Sequence, residues 1–146
     1  MTRKLVLGAA MVLGLGLGGA ALADTFDPIK TRQAGQDLVA GTFAGVKAVI
    51  TLKGDVKTLE GPGKAIQKWA LVFPTLFPAG TDKGDTKAAP AIWTDQAGFQ
   101  KDAEALSAAG GKLAMAAKAG DETAVAAAYK EIGEACGACH KDFRLK

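Results

Sequence analysis

The chain has 146 residues, of which 49% are hydrophobic and 6% aromatic, and its formal net charge is +3. This length fits one domain with a real hydrophobic core. A small net charge without a basic run excludes a protein that coats nucleic acid. Alanine is abundant and strand-like alternation is scarce, so the composition predicts an all-helical fold.

The N-terminus has the pattern of a secretory signal peptide, residues 1–23. Arg3 and Lys4 precede an apolar stretch, which ends in the small-x-small cleavage site Ala21-Leu22-Ala23. A retained membrane anchor is the alternative, but the stretch is short for a span and rich in glycine. We therefore expect a mature domain of residues 24–146 that has no membrane contact, with 16 basic against 15 acidic residues.

Two helices are predicted in the first half of this domain. The first runs from about Pro28 to Leu52, with Asp27 as its N-cap. The second runs from about Lys64 to Phe73, because Gly61-Pro62-Gly63 is typical of a break before a helix. The segment from Ala79 to Ala91 is rich in turn residues and predicts a loop.

Two longer helices are predicted in the second half. The third runs from about Asp95 to Ala119 with Thr94 as N-cap, and the fourth from about Glu122 to Leu145 with Asp121 as N-cap. The connection between them is very short, which predicts antiparallel neighbours. The fold class is therefore an all-α, antiparallel, up-down-up-down four-helix bundle.

Three of the helices carry an inward seam of the kind found in left-handed bundles. Its positions are Ile29, Arg32, Gln36, Val39, Phe43, Val46 and Ile50 in the first helix, Phe99, Ala103, Leu106, Gly110, Leu113 and Ala117 in the third, and Val125, Tyr129, Ile132, Cys136, Cys139 and Phe143 in the fourth.

The fourth helix contains Cys136-Gly137-Ala138-Cys139-His140, a C-x-x-C-H motif typical of covalently attached haem. Helical spacing puts both thiols and the imidazole on one face. The thiols can add to the two vinyl groups of one haem, and His140, the only histidine, can ligate the iron. We predict one covalent haem c per chain, inside the bundle near one end, with Gly110 and Gly111 among the small residues that leave room for it.

Other chemistries use the same pair of cysteines. A structural zinc site wants four Cys or His ligands, and the chain has two cysteines and one histidine. A thiol–disulfide pair normally opens a helix after a strand, whereas this pair lies inside a predicted helix. A periplasmic thiol–disulfide protein without haem remains the alternative from another class.

Two polar residues, Arg32 and Gln36, occupy the seam of the first helix, and burying them without partners is costly. Haem propionates would pair with Arg32, and the open sixth site of the iron would face the amide of Gln36. Alternatively, Arg32 reaches water at the end of the bundle and Gln36 bonds a backbone carbonyl. Phe43, farther along the seam, is a further candidate for the haem pocket.

The chain resembles class II c-type cytochromes, the cytochrome c′ family, over nearly the whole mature sequence. The residues that carry the resemblance are Ala119-Gly120-Asp121, Gly133, the C-x-x-C-H motif, Phe143-Arg144, Arg32-Gln33, and Ile92-Trp93 followed by Asp95. The C-terminal position of the motif also separates the chain from class I cytochromes c, which carry it near the N-terminus.

The resemblance implies a four-helix bundle, often a homodimer, with periplasmic haem. It implies thioether bonds to Cys136 and Cys139, His140 as proximal ligand with Arg144 beside it, and Arg32 near the propionates. Gln36 falls at the distal position, where the family usually has Leu, Met or Phe. The first helix has no methionine and Met115 lies off the seam of the third, so we expect no methionine ligand.

The predicted function is electron transfer in the periplasm with redox partner proteins. Binding or sequestration of nitric oxide or carbon monoxide at an open distal site is the alternative. The sequence shows no second histidine and no Ser/His/Asp set, so we do not expect an enzyme.

Overall fold

The computed structural model of the chain describes residues 26–146, so the predicted signal peptide lies outside the described residues. The helices are α1 Pro28–Thr51, α2 Glu60–Val72, α3 Ala91–Thr94, α4 Gln96–Ala119 and α5 Glu122–Phe143, with single 3₁₀ turns at Val56–Leu59 and Phe73–Leu76. The fold is the predicted four-helix bundle, formed by α1, α2, α4 and α5. Within residues 26–146, no helix is both long and apolar enough to cross a membrane.

Helices α1 and α5 begin at the predicted N-caps, Asp27 and Asp121. The carboxylate of Asp27 accepts the first backbone N–H groups of α1, and that of Asp121 accepts a backbone N–H of α5. Gly120 ends α4 with a φ of 74°, a left-handed conformation that glycine adopts without strain. An ion pair of 2.6 Å joins Lys112 of α4 to Glu131 of α5, consistent with antiparallel neighbours.

Two helix starts differ from the predictions. Helix α2 begins at Glu60 rather than Lys64, because Pro62 is tolerated in a first turn, where its missing N–H would have no intrahelical partner. The N-cap of α4 is Asp95 rather than Thr94, since the carboxylate of Asp95 accepts the backbone N–H three residues on. The one-turn helix α3 before it was not predicted.

The core confirms the inward seams, because every seam position is buried or half-buried. Its largest fully buried side chains are Val46, Ile66, Leu113, Val125 and Ile132. A smaller cluster at the other end of the bundle is aromatic and includes Phe73, Phe77, Trp93, Phe99 and Phe143. Met115 is 68% exposed, as its off-seam position predicted.

Helices α2 and α4 approach each other most closely at two glycines. A methyl group at Gly63 would lie 2.9 Å from the carbonyl oxygen of Gly110, and one at Gly110 would lie 2.7 Å from the backbone nitrogen of Gln67. Gly111 lies against the side chain of Gln67. The expectation that Gly110 and Gly111 make room for a macrocycle was wrong, since they make room for α2.

The loop between α2 and α3 is held by Arg32, which is 4% exposed. Its guanidinium donates to the carbonyls of Leu76 (3.3 Å) and Thr81 (2.7 Å) and to the hydroxyls of Thr81 (3.0 Å) and Thr86 (2.8 Å). It also lies 4.5 Å from the centroid of the Phe77 ring. These contacts satisfy the polar group on the seam of α1.

The same loop pairs with the C-terminus. The N–H of Leu145 donates to the carbonyl of Lys87 (2.8 Å), and the N–H of Ala89 donates to the carbonyl of Phe143 (3.1 Å). Arg144 between them has extended backbone. Helix α5 therefore ends at Phe143 rather than at Leu145, because the final residues bond the loop instead of continuing the helix.

The close contact at Gly110 predicts that a larger side chain at this position destabilises the fold. We expect Gly110→Ala to lower the free energy of unfolding by about 1–3 kcal/mol, because its methyl group would press on backbone rather than on a flexible side chain. Gly45→Ala on α1 is the matched control, since nothing lies within 4 Å of its new methyl group and alanine is the better helix former by about 0.5–1 kcal/mol. Denaturant unfolding followed by circular dichroism measures both, and equal effects would contradict the packing argument.

The contacts of Arg32 predict that it stabilises the loop. We expect Arg32→Met to lower the free energy of unfolding by about 2–3 kcal/mol, as buried acceptors lose a charged donor. Trypsin should then cleave faster after Lys83 and Lys87, which lie in the loop. Gln33→Ala, which removes one exposed hydrogen bond to the same loop, should change the cleavage rate little. Cleavage of Arg32→Met at the wild-type rate would show that the loop does not depend on the guanidinium.

Candidate haem site

A cavity lies among α1, α2, α4 and α5, near the aromatic end of the bundle. Helix α5 contributes Cys136, Cys139 and His140, α1 contributes Gln36, and α2 contributes Trp69. The remaining lining is apolar except for one carboxylate: Ala70, Phe73, Phe99, Asp102, Ala103, Leu106 and Ala135. The cavity thus has a reactive side on α5 and a mostly apolar wall on the other helices.

The C-x-x-C-H motif lies within the last turns of α5 and is helical throughout. Both cysteines are free thiols and half-buried, whereas His140 is exposed. All three side chains line the one cavity, so the two thiols and the imidazole are available to a single ligand.

The protonation states of these groups follow from their surroundings. Burial raises the pKa of Cys136, and burial together with nearby Asp102 raises the pKa of Cys139 to about 11. Two effects lower the pKa of His140: partial burial, which is the larger, and the positive charge of Arg144. At neutral pH the imidazole is therefore neutral, which is the form that ligates a metal.

The raised pKa values also bear on the alternative thiol chemistry. A reactive thiol–disulfide pair usually has a lowered thiol pKa, often at the N-terminus of a helix, where the helix dipole stabilises the thiolate. Cys136 and Cys139 lie in the C-terminal half of α5, where the dipole acts in the opposite sense. Their environment favours neutral thiols and disfavours a redox-active pair.

The other predicted site residues are placed differently. Gln36 lines the cavity, while Arg32, one turn earlier, directs its donors to the loop. Phe43 stacks on Tyr129 with ring centroids 4.3 Å apart, and it is not among the lining residues. Arg144 is exposed, just after the end of α5. Haem contacts of Arg32, Phe43 and Arg144 stay predictions.

Trp69 belongs to the cavity and was missed by the sequence analysis. Its ring packs on α1 at Gly35, where a methyl group would overlap the six-membered ring. Its Nε1 is the one buried side-chain nitrogen or oxygen in residues 26–146 that has no hydrogen-bond partner. The sequence offered only two signals, Trp69 on one predicted helix and Gly35 beside the seam of another. Their contact joins positions that are distant in sequence.

These groups fit a haem. The apolar wall would pack against the flat ring of a haem, and the two thiols would react with its two vinyl groups. The imidazole would ligate the iron, and the polar side chains of the lining would be available to a further ligand of the iron. The unpartnered N–H of Trp69 is a further donor that such a group could engage.

Comparison with known proteins gives a consistent result. The family model for cytochrome C′ matches residues 27–144. Cytochrome c′ of Rubrivivax gelatinosus is 38% identical in an alignment of 123 residues that covers 82% of this chain and 95% of the relative. The crystal structure of that protein superposes with a TM-score of 0.73 over 81% of this chain and 94% of the other.

Other solved structures agree. Cytochrome c′ of Thermochromatium tepidum has a TM-score of 0.76 at 29% identity, covering 83% of this chain and 98% of that one. Two variants of Alcaligenes xylosoxidans cytochrome c′, one with carbon monoxide and one with nitric oxide bound, have TM-scores of 0.73 and 0.74 at 31% and 30% identity, each covering 82% of this chain and 95% of the other. With a family match over almost all described residues and relatives above 30% identity along most of their length, the chain belongs to the cytochrome c′ family of haem proteins.

Proposed function

We propose that the protein is a periplasmic electron-transfer protein with one haem c per chain, attached through Cys136 and Cys139 and ligated by His140. The observation that carries this proposal is the convergence of both thiols and the only imidazole of the chain on one cavity. When bound, haem supplies a one-electron iron couple.

Each group of the chain has a role in that function. Thioether bonds from Cys136 and Cys139 would hold two edges of the ring. The neutral imidazole of His140 would coordinate the iron through one of its nitrogens. The apolar side chains of α2 and α4 that line the cavity would keep water from the haem, and the lower local dielectric would contribute to its reduction potential. The chain has no second imidazole for proton transfer, so the proposed role is that of a carrier rather than an enzyme.

The location and partners are part of the same proposal. Residues 1–23 would direct export and be removed, leaving residues 24–146 as the mature domain, with redox proteins of the periplasm as partners and no membrane or nucleic-acid contact. We also propose a homodimer. In its support, α1 and α2 expose Leu38 (73%), Leu71 (54%) and Val72 (49%), apolar side chains that a second copy would cover.

Covalent attachment is tested by the cysteines. Wild type, Cys136→Ser, Cys139→Ser and the double variant are exported in a bacterium that matures c-type cytochromes, and haem staining is read after denaturing electrophoresis. We expect a full signal in wild type, a weaker one in each single variant, which keeps one thioether, and none in the double variant. Staining of the double variant would contradict the proposal.

His140→Ala is the matched control, because it keeps both thiols. We expect its haem to remain covalently bound, while its ferric spectrum changes and is restored in part by external imidazole. An unchanged spectrum would mean that His140 does not ligate the iron.

Binding of nitric oxide or carbon monoxide is a second candidate function. The related Alcaligenes xylosoxidans variants hold these gases. The only methionine among residues 26–146, Met115, is exposed and does not line the cavity. Gln36, on α1, lines the cavity as well and offers an amide to a bound gas.

A substitution at Gln36 tests this second function. We expect Gln36→Leu to change carbon monoxide dissociation several-fold, as the loss of one neutral hydrogen bond of about 1 kcal/mol implies, or to shift the ferric spectrum toward five-coordinate high spin. Flash photolysis and absorption spectra measure these effects. If neither changes, the amide does not control the distal face.

A further inference from the structure

The indole N–H of Trp69 is the least explained polar group of the described residues. It is buried and unpartnered, whereas the other tryptophan, Trp93, donates its N–H to the carbonyl of Phe77 at 3.1 Å. Buried donors without a partner are uncommon and destabilising, and each one needs a reason in the structure. A ligand that accepts a hydrogen bond in the cavity would supply that reason.

Trp69 and Gln36 line the same cavity from two helices that pack against each other. The ring of Trp69 covers Gly35, the residue directly before Gln36, and both side chains line the cavity. They belong to α2 and α1, while His140 belongs to α5. Two side chains that carry N–H donors therefore line the cavity from helices other than the one that carries the proposed proximal ligand.

The charged groups near Trp69 and Gln36 do not occupy the donors of these two side chains. The carboxylate that lines the cavity, Asp102, is close enough to Cys139 to raise the pKa of that thiol, and so it lies toward the α5 side. Arg32 is one turn before Gln36, but its donors are occupied by the loop. The donors that Trp69 and Gln36 contribute to the lining are neutral groups.

We propose that the N–H of Trp69 and the amide of Gln36 form a donor pair for a small anion bound to the ferric iron. This inference rests on the proposed haem site and specifies its ligand class. Hydrogen bonds to an anionic acceptor are roughly twice as strong as those between neutral groups, so the pair favours an anion over carbon monoxide, whose oxygen is a weak acceptor. An apolar distal wall would not make that distinction.

Fluoride is the probe, because it is a small anion that accepts hydrogen bonds. Ferric haem-loaded wild type, Trp69→Phe and Trp93→Phe are titrated with sodium fluoride in the visible spectrum, and carbon monoxide binding to the ferrous forms is measured beside them. We expect Trp69→Phe to weaken fluoride binding about tenfold, the usual effect of one hydrogen bond to a charged group. Its carbon monoxide affinity should change less, and Trp93→Phe should bind fluoride as wild type does.

A second measurement does not depend on how well Trp69→Phe folds. The chain has two tryptophans, so Trp69 is the only one left in Trp93→Phe. Ultraviolet resonance Raman spectra of that variant report hydrogen bonding of the indole N–H, and we expect the sensitive band to shift when fluoride is added.

Several results would overturn the inference. These are a band that does not respond to fluoride, equal fluoride affinity in wild type and Trp69→Phe, or equal weakening in both tryptophan variants. If any of them occurs in protein that carries covalent haem and binds carbon monoxide, the donor pair is refuted and the proposed function stands. Absence of covalent haem in wild type would instead refute the proposed function, and the inference with it.

Discussion

The contact between α2 and α4 at Gly63 and Gly110 is the constraint on which the cavity depends. Backbone meets backbone there with no side chain between them, so the two helices approach closely. Farther along the same antiparallel pair, Phe73 meets Phe99 with ring centroids 5.9 Å apart. Large side chains separate the helices at that end, and the cavity forms there. The pair of helices is thus tightly packed at the glycines, and the cavity lies toward its aromatic end.

A second constraint acts at the open end of the bundle. Arg32 is a buried cation whose hydrogen-bond acceptors are neutral carbonyls and hydroxyls, all in the segment after α2. Burying such a group is favourable only when most of its donors are satisfied, so the loop has little freedom to move away. Because the loop also bonds the residues after α5, one guanidinium connects α1 to the helix that carries the cysteines.

The sequence was sufficient for features that depend on local pattern. The long helices, the N-caps of α1 and α5, the inward seams and the C-x-x-C-H face follow from periodicity and from residue types with one strong conformational preference. It misplaced the start of α2, because Gly61-Pro62-Gly63 is a break by propensity, while packing against α4 selects the helix. It could not show that Gly110 packs against α2, that Arg32 bonds the loop after α2, or that Trp69 lines the cavity. Each of these depends on which residues, 30 or more positions away in sequence, meet in space.

The pairing of the C-terminal residues with the loop has a mechanical consequence. Helix ends usually fray, and His140 lies only one turn from the end of α5. Here the next residues are bonded through Phe143 and Leu145 to the loop, so a force applied at Lys146 is carried by those backbone bonds before it reaches the imidazole. The C-terminus is therefore a place where the protein can be tethered to a surface or an electrode while the geometry of the cavity is retained.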